Sequence, residues 1–92
     1  MPLFDQFLYR ALHKVARDEI GATSVTGALR HRTMDLSPRL VSALFMLYRD
    51  GFVALRDTGA WDGWLSAELT TAGRQLLREW ENRLLDARYQ AG

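Results

Sequence analysis

Apolar side chains at Leu3, Phe4, Phe7, Leu8, Ala11, Leu12, Val15 and Ala16 recur at the i, i+3, i+4, i+7 spacing of one helix face. Asp5, Gln6, Arg10, Lys14, Arg17 and Asp18 fall on the other side. The spacing predicts an amphipathic helix over 3–20, stopped at Gly21. Thr23 or Ser24 offers a cap for a second helix, 24–32, with Val25, Ala28 and Leu29 inward. Gly27 costs such a helix roughly 1 kcal/mol relative to Ala, so packing has to support it. Thr33 to Leu36 reads as a turn. Ser37-Pro38 starts a third helix: Ser caps it, and Pro at the first helical position has no amide hydrogen to leave unpaired. This helix runs to Asp50 and stops at Gly51. Leu40, Ala43, Leu44 and Leu47 share its inner stripe. Pro38, Ser42, Phe45, Met46 and Arg49 lie opposite, which sets two large apolar residues where polar ones are expected.

From Phe52 to Asp57 the chain is strand-like, with Val53 and Leu55 on one side. Thr58 to Gly63 is rich in turn residues. Trp64 to Leu69 alternates again, with Leu65, Ala67 and Leu69 matching Val53 and Leu55. Together they form a hairpin with one buried face, and a lone hairpin is unstable in water, so it has to lie on the helices. Thr70 or Thr71 caps a last helix, 71–89, whose stripe is Ala72, Leu76, Leu77, Trp80, Leu84 and Ala87. The expected architecture is mainly α with a small β-hairpin, a single α+β domain over 1–92 in the order α-α-α-β-β-α.

Ala43-Leu44-x-x-Leu47-x-x-x-Gly51-Phe52-Val53, followed by Leu69-Thr70-x-x-Gly73-x-x-Leu76-Leu77, resembles bacterial regulators of the MarR and PadR types. The resemblance covers about residues 24 to 80. It implies a winged helix-turn-helix fold, with 37–50 as the recognition helix and 52–69 as the wing. It also implies sequence-specific DNA binding by a homodimer on a pseudo-palindromic site, as a bacterial or phage transcriptional regulator of repressor type. In those families the terminal helices make the dimer, which points here to Leu8, Trp80, Leu84, Leu85 and Tyr89. Wings that grip DNA commonly carry a basic residue near the tip. This turn has none, and Asp57 stands just before it and Asp62 within it.

Charge sharpens that expectation. The net charge is only +1, but the segment from Arg30 to Arg56 holds five arginines against Asp35 and Asp50. Arginine suits phosphate and base edges, although composition alone also produces such a bias. The candidate DNA contacts are Arg30, Arg32, Ser37, Arg39, Ser42, Arg49 and Arg56. The competing reading of the Ser and Arg residues on 37–50 is a capped, solvated helix face. For Arg30, His31 and Arg32 it is favourable charge at a helix C-terminus. Phe45 and Met46 fit a core position, a protein contact or thymine methyls. Trp61 and Trp64 fit either a structural role against the sheet or a partner surface. The second function class is therefore a protein-interaction module using Phe45, Met46, Trp61 and Trp64.

Several chemistries find no support. The chain has no cysteine, which excludes disulfides, a thiolate nucleophile and a Cys-ligated zinc. His13 and His31 lack a metal-ligand spacing. There is no glycine-rich phosphate loop and no nucleophile elbow. No enzyme, cofactor or metal is expected. The apolar runs are too short to span a bilayer, and the start lacks a secretion signal's basic region and long apolar run. A cytoplasmic protein is expected, with any effector held at the dimer interface or regulation supplied by a protein partner or by abundance.

Overall fold

A computed structural model describes residues 3–23, 28–32, 34–59 and 62–91, with side chains to residue 85. The order is α1 (Gln6–Ala16), β1 (Ile20–Thr23), β2 (Leu29–His31), α2 (Pro38–Arg49), β3 (Val53–Asp57), β4 (Trp64–Leu69) and α3 (Thr71–Ala91). The four strands form one antiparallel sheet in the order β2-β1-β4-β3. The expected α-α-α-β-β-α order and mainly-α hairpin architecture are therefore overturned. Among the described residues there are three helices and a four-stranded sheet in the order α-β-β-α-β-β-α, without the helix directly before α2 that a helix-turn-helix requires.

The first departure has a local cause. Asp5 caps α1 by accepting from the backbone amides of Phe7 and Leu8 at 2.8 and 3.1 Å. The helix then stops at Ala16, short of Gly21. Asp18 takes the left-handed conformation at φ 60. Its amide bonds to Val15 O and that of Glu19 to Lys14 O, at 3.0 and 3.1 Å. That bonding is the Schellman ending, in which glycine is the usual left-handed residue and Asp a rarer one. Released two residues later, Ile20, Gly21 and Ala22 enter the sheet interior, where all three are buried.

The second departure follows from the first. Residues 29–31, expected within a helix over 24–32, pair with β1 as Ile20↔His31, Gly21↔Arg30 and Ala22↔Leu29. Of the caps proposed for that helix, Thr23 belongs to β1, and Ser24 lies outside the described residues, as do Val25 and Gly27. His31 is 7% exposed. Met34 N donates to its Nδ1 at 3.1 Å, so Nε2 carries the proton and donates to Glu19 Oε1 at 3.1 Å. This bond holds the Glu19 carboxyl below its ordinary pKa of 4.5.

The helices pack on one face of the sheet. Leu12, Ile20, Leu44, Leu47, Leu76 and Trp80 are the largest fully buried side chains. Val53, Ala67 and Leu69 complete the core from the sheet. Arg30, Gly21, Ser66 and Arg56 form one cross-strand row and point to the face away from the helices.

Candidate nucleic-acid interface

Helix α2 is built as its sequence suggests. Ser37 Oγ accepts from Leu40 N at 3.3 Å, Pro38 opens the helix and Asp50 closes it. Ala43, Leu44 and Leu47 are buried. Leu40 is half-buried, and the remaining residues of the helix are exposed. Pro38, Ser42, Phe45 and Arg49 lie at i, i+4, i+7 and i+11 and so follow one line along its outer surface. Arg39 and Met46 flank that line on one side, Val41 and Tyr48 on the other. No acidic residue occurs between Pro38 and Arg49.

The exposure of this helix settles the position of Phe45 and Met46. They are 59% and 42% exposed and are not core. Val41 and Tyr48, which the sequence reading did not single out, are exposed beside them, as is Met34 at the foot of the helix. Their positions follow from the 100° turn per residue. A cleft of about 490 Å³ separates α2 from the start of α1, with Arg39, Ser42 and Met46 on one wall and Asp5 and Phe7 on the other. The Arg39 guanidinium lies 5.4 Å from the centre of the Phe7 ring, a cation–π distance.

The seven candidate DNA contacts do not share one surface. Ser37, Arg39, Ser42 and Arg49 belong to α2, and the Ser37 hydroxyl is used by its cap. Arg49 Nε donates to Asp50 Oδ1 at 3.2 Å, both groups being exposed. Arg30, Arg32 and Arg56 stand on the side of the sheet turned away from the helices. Arg56 faces Glu68 across the β3–β4 ladder at 3.7 Å. Arg32 Nε donates to Asp18 O at 3.0 Å, and its Nη2 reaches Asp18 Oδ2 and Ser66 Oγ, both at 3.4 Å. Its guanidinium also lies over the Trp64 ring at 5.2 Å. Arg32 thus braces the left-handed Asp18. Trp64 lies against Gly21, where a Cβ would overlap both its ring and the Leu65 carbonyl. Trp64 is therefore a packing residue, and Trp61 lies outside the described residues.

The hairpin-tip acids also have local work. Asp57 Oδ1 accepts from Gly59 N at 2.8 Å, and Asp62 Oδ1 from Trp64 N at 3.1 Å. Both bonds are Asx turns that shape the connection.

The expected dimer residues divide as well. Leu8 is 8% exposed and Trp80 is fully buried in its own chain, so neither presents a surface to a partner. Phe4 seals Trp80 edge-on at 5.3 Å between ring centroids. Leu84 and Leu85 are exposed and line a small cavity with Tyr9 and Glu81. The Tyr89 side chain is outside the described set.

Among the described residues no group of His, Asp and Glu is arranged to hold a metal, and no helix is long and apolar enough to cross a membrane. Comparison of the chain with protein-family models, with curated proteins and with solved structures finds no match.

Proposed function

We propose that this chain is a sequence-specific binder of double-stranded DNA, a transcriptional regulator that lays α2 in the major groove. One observation carries the reading. A capped helix leaves its outer face exposed from end to end, presents Arg39, Ser42 and Arg49 there, and holds no acidic side chain between Pro38 and Arg49. A helix with its side chains is about 10–12 Å across and the major groove about 12 Å wide. Arg39 and Arg49 supply phosphate or guanine contacts, Ser42 a hydroxyl, and Phe45 and Met46 apolar contacts for thymine methyls. The exposed Arg49–Asp50 pair is a weak competitor, since such surface pairs are worth about 0–1 kcal/mol. Leu84 and Leu85, exposed on the second half of α3, support a homodimer joined there. Such a dimer reads two half-sites about 34 Å apart.

The test is selection from a random duplex library, followed by titration at about 50 and 200 mM salt. The expected result is an enriched inverted repeat whose affinity falls with salt. The double variant Arg39→Ala, Arg49→Ala should lose about 1–3 kcal/mol per specific contact removed while keeping the parent's circular dichroism. Unchanged affinity in the double variant, or no enriched sequence, sinks the proposal.

A second reading, a protein-interaction module, has its own observation. Val41, Phe45, Met46, Tyr48 and Met34 are all more than two-fifths exposed on one side of the molecule, the kind of apolar patch that marks protein contacts. Three of the candidate DNA arginines, Arg32, Arg49 and Arg56, already face carboxylates. Under this reading Phe45→Ala abolishes a protein complex, and no duplex sequence is enriched.

A further inference from the structure

Helix α1 has two margins beside its buried stripe, and they differ. Tyr9 and His13 face α3: Tyr9 lines a cavity with Leu84 and Leu85, and the His13 ring meets Glu81 at 3.3 Å. Phe7 marks the other margin, which faces α2, since the Arg39 guanidinium lies 5.4 Å from its ring centre. Arg10, Lys14 and Arg17 continue this second margin at i+3, i+7 and i+10 from Phe7. At about 100° per residue the four share a sector of about 80°. The Arg10 guanidinium stands 5.9 Å from the same Phe7 ring, so that ring lies beside a cation from each helix.

No acidic residue interrupts the line, because residues 6–17 contain neither Asp nor Glu. Arg10 and Arg17 are exposed and Lys14 is half-buried. Among the described residues neither they nor Arg39 have an ion-pair partner. The carboxylates at the two ends of α1 are engaged elsewhere. Asp5 Oδ1 accepts from the Phe7 and Leu8 amides, and Asp18 meets Arg32 at 3.4 Å. Glu19 accepts from His31 at 3.1 Å and feels Lys14 and Arg17 only as weaker charges. A row of cations with no pocket suits an extended polyanion rather than a small ligand.

The spacing agrees with the DNA reading. Helices α1 and α2 pack directly against each other. Packed helices lie about 8–10 Å apart, and the major groove is about 12 Å wide. With α2 centred in the groove, α1 stands over its edge, where the phosphates run. Arg10 to Arg17 covers about 10 Å of helix at about 1.5 Å per residue. That equals the rise of three nucleotides of one strand at about 3.4 Å each.

We propose that Arg10, Lys14 and Arg17 form a phosphate-contacting edge on one strand of the DNA backbone, beside the groove that α2 enters. The inference rests on the DNA reading and extends it: α2 reads bases, while α1 adds affinity without sequence preference.

The test uses the whole chain and the duplex enriched from the random library. Each phosphate contact contributes about 0.9 to the slope of log affinity against log salt. The triple variant Arg10→Gln, Lys14→Gln, Arg17→Gln should flatten that slope by about 2.7 per bound subunit. Between about 50 and 200 mM salt the parent should then lose about 40 times more affinity per subunit than the variant. The base preference of the variant in a repeated selection should equal the parent's. The charge-keeping variant Arg10→Lys, Arg17→Lys should keep the parent's slope. So should Arg74→Gln, Arg78→Gln, Arg83→Gln, which removes the same charge from α3. Gln stands close to Arg and Lys in helix propensity, so every variant should retain the parent's circular dichroism. A parent-like salt slope in the α1 triple variant, or an equal flattening in the α3 variant, would overturn the phosphate edge and leave the α2 reading intact. A library that yields no enriched duplex would sink both.

Discussion

Replacing Gly73 by alanine separates local helix preference from tertiary fit, because the two predict opposite signs. Gly73 is buried in the first turn of α3. Its amide donates to Thr70 Oγ1 at 3.2 Å, and the same hydroxyl donates to Gly51 O at 2.7 Å. Thr70 N donates to Phe52 O at 3.0 Å. A Cβ at position 73 would overlap that Phe52 carbonyl oxygen, and would lie 3.1 Å from Phe52 C and 3.3 Å from Leu69 Cδ2. The nearest obstacle is backbone, so it cannot rotate aside, and α3 has to lift away from the start of β3. Alanine gains up to about 1 kcal/mol in helix propensity. Against this stand one or two hydrogen bonds at about 1 kcal/mol each and overpacking at about 1–3 kcal/mol. The net expectation for Gly73→Ala is a loss of about 1–4 kcal/mol. In a chain of 92 residues each kcal/mol moves Tm by roughly 4–8 °C. Urea unfolding measures the loss directly, with Ala72→Gly at the exposed neighbour as the propensity control. A Gly73→Ala variant as stable as the parent, or more stable, would refute the close approach of α3 to Phe52.

The remaining predictions concern a cap and a titrating group. Ser37→Ala should cost about 1 kcal/mol, because Leu40 N loses its acceptor at the start of α2; an unchanged urea midpoint would show that the cap does not hold the helix. Glu19 titrates below its ordinary 4.5 in the folded chain because of its bond to His31. A depressed carboxyl contributes stability that is fully present above the unfolded value and is lost as pH falls through the folded one. Unfolding measured from about pH 7 down to about pH 3 should therefore show a steeper acid-side loss in the parent than in Glu19→Gln. Parallel curves would mean the Glu19–His31 bond carries no pH dependence.

Much of the second half of the chain could be read from local signals. Ser37-Pro38 is a helix start whose cap and missing amide hydrogen act within one turn. The alternation from Trp64 to Leu69 needs only the two-residue period of a strand. Thr70 and Gly73 sit where a helix must begin directly after a strand. The outward position of Ser42, Phe45 and Arg49 also follows from helical rotation alone. The first half was less legible. The apolar period continues past Ala16, and Gly21 looks like a helix stop, yet Asp18 ends the helix in a conformation that glycine usually takes. Residues 29–31 then lie in a strand because β1, only seven to eleven residues earlier, supplies partners for them, a pairing that the apolar spacing over 24–32 does not show.

The candidate surface divides in the same way. The sequence determined that α2 is basic and free of acids, that the hairpin tip lacks a cation, and that the chain has no thiol chemistry, since these depend only on which residues occur. It also determined which side of α2 is apolar enough to bury. Only the tertiary structure decided that Arg30, Arg32 and Arg56 stand across the sheet from α2, because strand register sets the face on which a side chain emerges, and register is a long-range choice. It likewise decided that Leu8 and Trp80 are core while Leu84 and Leu85 are surface, although all four lie on helices with apolar stripes. A stripe shows that a helix face will be covered; which other part of the fold covers it, and how far along the helix that cover reaches, depends on where the other elements end.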